Sequence, residues 1–125
     1  MADTFKSSRA APPVGAYPHA RRIGNLLFLS GVGPRGLDSS IPAGIEAQTH
    51  AVFANVRAIL EDSGSGWDRL VDVTVFLTDM KADFPTYNRL WAQYFPRNPP
   101  CRTTVEISAL PTPISIELKC IATID

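Results

Sequence analysis

The stretch PPCRTTVEISALPTPISIELKCIATID, residues 99–125, contains two predicted β-strands with prolines between them. Apolar and polar residues alternate along the second strand: Ile114, Ile116, Leu118, Cys120, Ala122 and Ile124 have one parity, and Ser115, Glu117 and Lys119 have the other. A period of two is typical of a strand with one face on a hydrophobic core. We therefore expect Glu117 and Lys119 on the face away from the core.

The first strand of this stretch carries a polar set of its own. Arg102, Thr104 and Glu106 share one parity, and Val105 and Ile107 share the other. This pattern predicts that the polar set lies on the non-core side. If the two strands pair, Arg102, Thr104 and Glu117 face one cleft.

Three more strands are predicted upstream. HARRIG and NLLFLSG form two strands joined by a tight turn at Gly24-Asn25, because glycine and asparagine suit such turns. The third is LVDVTVFLTDM, and four of its residues are expected on one face: Val71, Val73, Val75 and Leu77.

Two helices are predicted between these strands. The first begins at Ile45, where the apolar period changes to that of a helix, and ends at SGSG, since glycine favours a helix C-terminus. The second is ADFPTYNRLWAQYF, with Asp83 as its cap and Pro85 in its first turn.

The resulting order, β-β-α-β-α-β-β, predicts an α+β fold: a mixed sheet with two helices on one face. The other face is uncovered but partly apolar, and the residues expected there are Leu27, Leu29, Phe76 and Ile121. Such a face is usually buried against another subunit, so we predict a homo-oligomer with clefts between subunits. Residues 1–125 are expected to form a single domain, with residues 1–11 as a flexible tail.

Composition argues against several functions. Twelve Lys+Arg balance twelve Asp+Glu, so we expect no nucleic-acid partner. No segment approaches the roughly 20 apolar residues of a membrane helix, and the N-terminus has no secretory pattern, so the expected location is cytoplasmic. Neither metal-ligand spacing nor a nucleotide-binding glycine motif is present, so we expect no metal and no cofactor.

Arg102 and Glu117 have two interpretations from the residues alone. A guanidinium binds a carboxylate through two parallel hydrogen bonds, and a nearby carboxylate can act as a general base on water. The alternative is an ordinary Arg–Glu pair on a solvated surface.

Weaker candidates also have two interpretations. Tyr17 lies in the Gly/Pro-punctuated segment VGAYPHA, where it either packs or lines a site. His19 is a pH-sensitive group or a structural histidine. A backbone N–H beside Gly31 suits an anion, while Asn88 and Lys119 suit either a ligand or solvent.

Four segments together resemble the RidA/YjgF family of reactive imine and enamine deaminases. They are VGAYPHARRIGNLLFLSG, IEAQTHAVFANVRAILEDSG, VDVTVFLTDMKADFPTYNRLWAQYF and PPCRTTVEISALP followed by ISIELKCIA. The resemblance implies a chorismate-mutase-like fold and a homotrimer with active sites between subunits. It also implies a hydrolase of C–N bonds that acts on a small carboxylate.

The resemblance assigns roles to single residues. Arg102 corresponds to the arginine that holds the substrate carboxylate, and Glu117 to the glutamate that positions water. Tyr17, Asn88 and a backbone group beside Gly31 line the pocket. Thr104, which shares the parity of Arg102, is added as a substrate-binding candidate.

The segments YPH, RTTV and IELK look more like the 2-aminomuconate deaminase branch, whose product is 4-oxalocrotonate. That substrate has two carboxylates, and one arginine can clamp only one. Lys119, His19 or Arg35 is expected to supply the second positive charge. The alternatives are a generic deaminase of 2-iminopropanoate or 2-aminoacrylate, a small-carboxylate sensor, and a single-strand endoribonuclease.

Overall fold

A computed structural model describes residues 3–125. Its elements are β1 Thr4–Phe5, β2 Ala20–Ile23, β3 Leu26–Leu29, α1 Ile45–Asp62, a short 3-10 helix Trp67–Arg69, β4 Leu70–Leu77, α2 Met80–Tyr94, β5 Cys101–Glu106 and β6 Ile116–Thr123. One sheet has the order β1-β2-β3-β6-β4-β5, in which only β4 and β5 are parallel. The predicted α+β fold with a mixed sheet is confirmed, and β1 is an additional strand.

The N-terminal segment departs from the predicted flexible tail of residues 1–11. Met1 and Ala2 lie outside the described residues. From Asp3 onward the segment is packed: Thr4–Phe5 pairs with β2, and Arg9 binds Asp62 of α1 at 2.8 Å. The tail prediction is therefore corrected for residues 3–11, because long-range partners compensate for the polar composition of this segment.

The two helices cover one face of the sheet, and the hydrophobic core lies between these layers. Its central residues are exposed by 2% or less, and they are Leu27, Leu29, Val73, Val75, Leu77, Ile116, Leu118, Cys120 and Ala122 on the strands, with Val52, Phe53, Val56, Ile59 and Leu60 on α1. Both predicted ends of α1 are confirmed, and Gly64 beyond it has a φ of +90°. Neither helix in residues 3–125 is long and apolar enough to cross a membrane.

The uncovered face carries a different part of β3 than predicted. Leu27 and Leu29 lie on the helix-covered face, whereas Phe28 pairs with Ile121 on the open face. Leu26, also on the open face, is 41% exposed. An unbroken apolar run gives no parity signal, so the sequence could not assign the faces of this strand.

A β-bulge alters the start of β4. The register with β6 shifts between Leu70 and Asp72, so that Val71 leaves the predicted apolar face and is 42% exposed. Val73, Val75 and Leu77 lie on the core face as predicted. A bulge inserts one extra residue, so residues of the same parity before and after it point to opposite faces of the sheet.

The second helix begins earlier than predicted. Asp79 is its N-cap, since the Asp79 side chain accepts a hydrogen bond from the backbone N–H of Ala82 at 3.1 Å. Asp83 lies inside the first turn, and Pro85 is inside the helix. The prediction of Asp83 as the cap is therefore wrong, because the helix begins at Met80 and places Asp83 inside its first turn.

We expect Asp79→Ala to lower the free energy of unfolding by about 1 kcal/mol, because the cap of α2 is lost. Asp83→Ala is the matched control, and it should cost little. Burial and the charge of Asp79 raise the pKa of the Asp83 carboxyl, so its ionised form is disfavoured where it stands. Denaturant unfolding of both variants at one protein concentration measures the difference. A larger loss for Asp83→Ala would contradict this capping geometry.

Candidate active site

Arg102 and Thr104 lie on the helix-covered face of the sheet. In the parallel register of β4 and β5, Arg102 pairs with Val73 and Thr104 pairs with Val75. Paired residues point to the same side of a sheet, and Val73 and Val75 are buried in the core. The prediction that this polar set lies on the non-core side is therefore wrong. β5 is an edge strand, and its polar residues Arg102 and Thr104 contact α2 instead of water.

The Arg102 guanidinium rests against three aromatic rings of α2. Its central carbon is 5.0 Å from the ring centroid of Trp91, 5.2 Å from that of Tyr87 and 5.9 Å from that of Phe84. These distances are within the range of cation–π attraction. The Tyr87 hydroxyl lies 2.8 Å from the Thr104 hydroxyl, which fixes both side chains.

One nitrogen of Arg102, Nη1, is buried and has no hydrogen-bond acceptor among residues 3–125. A buried donor without an acceptor is costly, and the cost is larger for a charged group. Within the same region Arg102 forms no ion pair. The site therefore has an oriented positive charge suited to an anionic ligand.

Asn88 is exposed on α2 and lies within one helical turn of both Phe84 and Trp91. Residues three and four apart are neighbours on a helix surface, so Asn88 borders the rings beneath Arg102. Glu106 binds the start of α2, because its Oε1 accepts a hydrogen bond from the backbone N–H of Met80 at 2.8 Å. Arg102, Thr104 and Asn88 thus form one group, the arginine half-site.

Glu117 lies on the opposite, open face. In the antiparallel register of β4 and β6, Glu117 pairs with Phe76, while Leu118 pairs with Val75 on the core side. The Glu117 side chain reaches Gly31 so closely that a Cβ built at Gly31 would be 2.9 Å from its Oε2. Burial raises the pKa of the Glu117 carboxyl. Gly31 is therefore required for close approach.

A cleft surrounds the Glu117 carboxylate, and we call it the Glu117 cleft. Its lining residues are Val14, Tyr17, Gly31, Gly33, Arg35, Pro111, Thr112, Ile114 and Glu117. Tyr17 is 37% exposed at its rim, and the Tyr17 hydroxyl accepts the backbone N–H of Val14 at 3.1 Å. Tyr17, Gly31 and Glu117 are thus brought together as candidates.

His19 is buried and fully engaged with the main chain. Its Nδ1 accepts the N–H of Ser7 at 2.8 Å, so its Nε2 carries the hydrogen and donates to the carbonyl of Ala11, also at 2.8 Å. Protonation of Nδ1 would break the first of these bonds. Both ring nitrogens of His19 are thus engaged with the main chain, which agrees with the interpretation of a structural histidine.

Lys119 shares the open face with Glu117, as predicted from its parity. Its Nζ donates a hydrogen bond to the main-chain carbonyl of Leu29. That carbonyl lies at the end of β3, where the regular pairing with β6 stops at Phe28. Lys119 thus supplies a hydrogen bond to a carbonyl that lies beyond the regular pairing of β3 with β6.

The sheet separates the two groups of candidates. The arginine half-site is on the helix side of edge strand β5, and the Glu117 cleft is on the open side of β6, with β4 between these strands. The condition for one cleft within a chain, direct pairing of the two strands, is not met, because β4 lies between β5 and β6. Among residues 3–125, no group of three His, Cys, Asp or Glu residues could hold a metal ion.

Sequence reasoning missed Asn55 of α1. Its Nδ2 donates to the carbonyls of Gly33 and Arg35, at 2.9 and 2.8 Å, and so fixes the loop of the Glu117 cleft. The available signal was an amide in the middle of an apolar helical stripe, between Val52 and Val56. The aromatic support of Arg102 was also missed, although its three rings recur at helical spacing.

We expect Glu117→Gln to raise the melting temperature at neutral pH, because an amide carries no charge to desolvate. The raised pKa means that the folded protein binds this proton more tightly than the unfolded chain does. Ionisation of Glu117 therefore costs stability as the pH rises through its folded pKa. The advantage of the variant should vanish below the ordinary pKa of a glutamate.

Glu46→Gln is the matched control for this measurement, since Glu46 is exposed at the start of α1. It should give no stabilisation at any pH. Thermal unfolding of the three proteins between acidic and neutral pH provides the comparison. A Glu117→Gln protein that melts below the wild type at neutral pH would contradict the desolvation of this carboxylate.

Known proteins resemble this chain over nearly its full length. A family model described as Endoribonuclease L-PSP matches residues 8–124. Reactive Intermediate Deaminase A, chloroplastic, of Arabidopsis thaliana is 37% identical over 126 aligned positions, which cover 98% of this chain and 66% of that protein. A RutC family protein of Pyrococcus horikoshii is 36% identical, with 98% of both chains covered. The crystal structure of RidA from the Antarctic bacterium Psychrobacter sp. has a TM-score of 0.92 at 30% identity, covering 97% of this chain and 98% of that chain.

Proposed function

This chain belongs to the Endoribonuclease L-PSP family, which includes the RidA proteins, and from that premise we propose that it is a hydrolytic deaminase. Its substrates are small enamines or imines that carry a carboxylate, and ammonia is one product. The observation that carries this proposal is the buried Nη1 of Arg102, which has no acceptor in residues 3–125. A substrate carboxylate satisfies that donor and neutralises the charge.

A complete active site requires two copies of the chain. Arg102 and Glu117 are on opposite faces of the sheet and are separated by β4. The open face carries the half-buried apolar side chains Phe28, Phe76 and Ile121. We propose that a homotrimer covers this face and joins the arginine half-site of one subunit to the Glu117 cleft of the next. The number three follows from the family resemblance.

The reaction begins with binding of the substrate carboxylate by Arg102, which orients the adjacent C=N carbon. An enamine first gains a proton at carbon and loses one from nitrogen, which gives the imine. Glu117 then removes a proton from water as the water oxygen attacks the C=N carbon, and it passes this proton to the imine nitrogen, which gives the carbinolamine. The hydroxyl proton of the carbinolamine moves to nitrogen, the C–N bond breaks, and an oxo acid and ammonia leave.

Burial of Glu117 suits it to this step. Burial raises the pKa of the Glu117 carboxyl, which makes its carboxylate a stronger base than that of an exposed glutamate. Gly31 allows the carboxylate to approach the backbone of the loop after β3. Tyr17 at the rim of the cleft and Asn88 beside Arg102 complete the proposed binding surface.

The proposed substrate is 2-aminomuconate, which gives 4-oxalocrotonate and ammonia. The residues that favour it are those of the YPH, RTTV and IELK segments, together with the positive charge of Arg35 in the Glu117 cleft. The generic substrate 2-aminoacrylate, hydrolysed as 2-iminopropanoate, has a single carboxylate. Both require the same chemistry from Arg102 and Glu117.

We expect Arg102→Ala and Glu117→Gln each to lower kcat/KM at least about 100-fold, since each removes a group that contacts the reacting molecule. Mixing the two inactive proteins, by co-refolding, should restore activity. In randomly mixed trimers about a quarter of the sites combine an intact Arg102 with an intact Glu117. Ammonia release from either substrate measures the recovery.

The control for mixing is the double variant Arg102→Ala, Glu117→Gln combined with each single variant, which should recover nothing. If mixed single variants also stay inactive although hetero-oligomers form, a site shared between subunits is rejected. Loss of ligand binding only in Arg102→Ala, with no turnover by the wild type, would instead identify a carboxylate sensor.

We expect Gly31→Ala to lower kcat/KM about tenfold or more, because the added Cβ displaces the Glu117 carboxylate from its position. Gly66→Ala is the matched control. Its Cβ would lie 3.1 Å from Oδ1 of Asp68, an exposed side chain that is free to move away. Equal activities of the two variants would show that the Gly31 approach is unimportant for the reaction.

A further inference from the structure

Arg35 is a charged residue of the Glu117 cleft that takes no part in the proposed proton transfers. It is half-buried in the loop that follows β3, and it lines the same cleft as Tyr17, Gly31 and Glu117. It is the only cationic side chain among the residues that line this cleft. A positive charge beside a candidate general base has a consequence for the ligands that enter.

The guanidinium of Arg35 is held by neutral acceptors. Its Nη2 donates to the carbonyl of Pro12 at 2.7 Å, and its Nη1 donates to the hydroxyl of Ser39 at 3.2 Å. These bonds leave Nε–H and one N–H on each terminal nitrogen without an acceptor among residues 3–125. In the same part of the chain, Arg35 forms no ion pair with any carboxylate.

The backbone that carries Arg35 is also fixed. The Asn55 amide of α1 donates to the Arg35 carbonyl at 2.8 Å and to the Gly33 carbonyl at 2.9 Å. Pro34 between these two residues is buried. A side chain that is held before binding loses less conformational entropy when a ligand arrives. Arg35 is therefore a positioned positive charge and not a free surface arginine.

The other two cations predicted for this role are engaged elsewhere. Both ring nitrogens of His19 bind the main chain, and the Lys119 ammonium donates to the carbonyl of Leu29. Neither His19 nor Lys119 lines the Glu117 cleft. Arg35 is the remaining member of the three.

We propose that Arg35 binds a second anionic group of the substrate and makes the enzyme selective for dicarboxylates. This inference rests on the proposed function, because Arg102 is taken to hold the carboxylate next to the C=N carbon. The far carboxylate of the same molecule then enters the Glu117 cleft, where a guanidinium can bind it through two parallel hydrogen bonds. Arg35 is thus a specificity-determining residue and leaves the proton transfers to Glu117.

The first test measures, by calorimetry, the dissociation constants of two unreactive acids, muconate and sorbate. Both are six-carbon dienes, but only muconate has a second carboxylate. We expect the wild type to bind muconate about tenfold or more tightly than sorbate, because a hydrogen-bonded charge pair is gained. Arg35→Gln should erase this preference, and Arg35→Lys should restore part of it.

The second test compares deamination of 2-aminomuconate and 2-aminoacrylate. Arg35→Gln should raise KM for the dicarboxylate about tenfold or more, and it should lower the ratio of kcat/KM for 2-aminomuconate to kcat/KM for 2-aminoacrylate by a similar factor. A merely structural role of Arg35 would lower both activities together. Arg97→Gln is the matched control, since it removes an exposed arginine that does not line the Glu117 cleft.

The outcomes separate this inference from the function on which it rests. A wild type without preference for muconate, or a preference that survives Arg35→Gln, overturns the role of Arg35 and leaves an Arg102-dependent deaminase intact. An Arg35-dependent preference for muconate in a protein that deaminates neither substrate supports the second anchor and rejects the deaminase. Equal losses on both substrates in Arg35→Gln also overturn the inference.

Discussion

The pairing of β6 with both β3 and β4 is the constraint on which the rest of the structure depends. β6 lies inside the sheet, and its strict alternation leaves one choice of face for each residue. Leu118 and Cys120 enter the core below the helices, and Glu117 is thereby directed to the open face. A shift of one residue in this register would place Glu117 in the core, where its charge would have no partner.

The sequence was sufficient for those elements whose local signals agree with their tertiary environment. The Gly24-Asn25 turn, both ends of α1 and the faces of β6 belong to this group. It was insufficient where a distant contact decides the structure. Arg102 lies on the helix side because α2 provides aromatic rings there, and the segment before Ala11 is packed because His19 and Asp62 bind it. No local pattern contains those partners.

In the candidate site, too, some features could be predicted from the sequence and others could not. Strand parity indicated Arg102 and Glu117 and the resemblance gave their roles, but their arrangement depends on the strand order, which separates them by β4. The two groups also differ in how they are supported. Aromatic rings surround Arg102, whereas a glycine makes room for Glu117 and an amide of α1 fixes the adjoining loop. The groups proposed for anion binding and for proton transfer thus lie on opposite faces of one sheet.

The short strand β1 has a consequence for how copies of the chain associate. A long exposed edge would offer a row of unpaired backbone groups to other chains and promote aggregation. Thr4–Phe5 covers part of β2 and then ends after two residues, so this edge offers little to extend. The short β1 thus disfavours association through the β2 edge, and the trimer proposed above uses the open face instead.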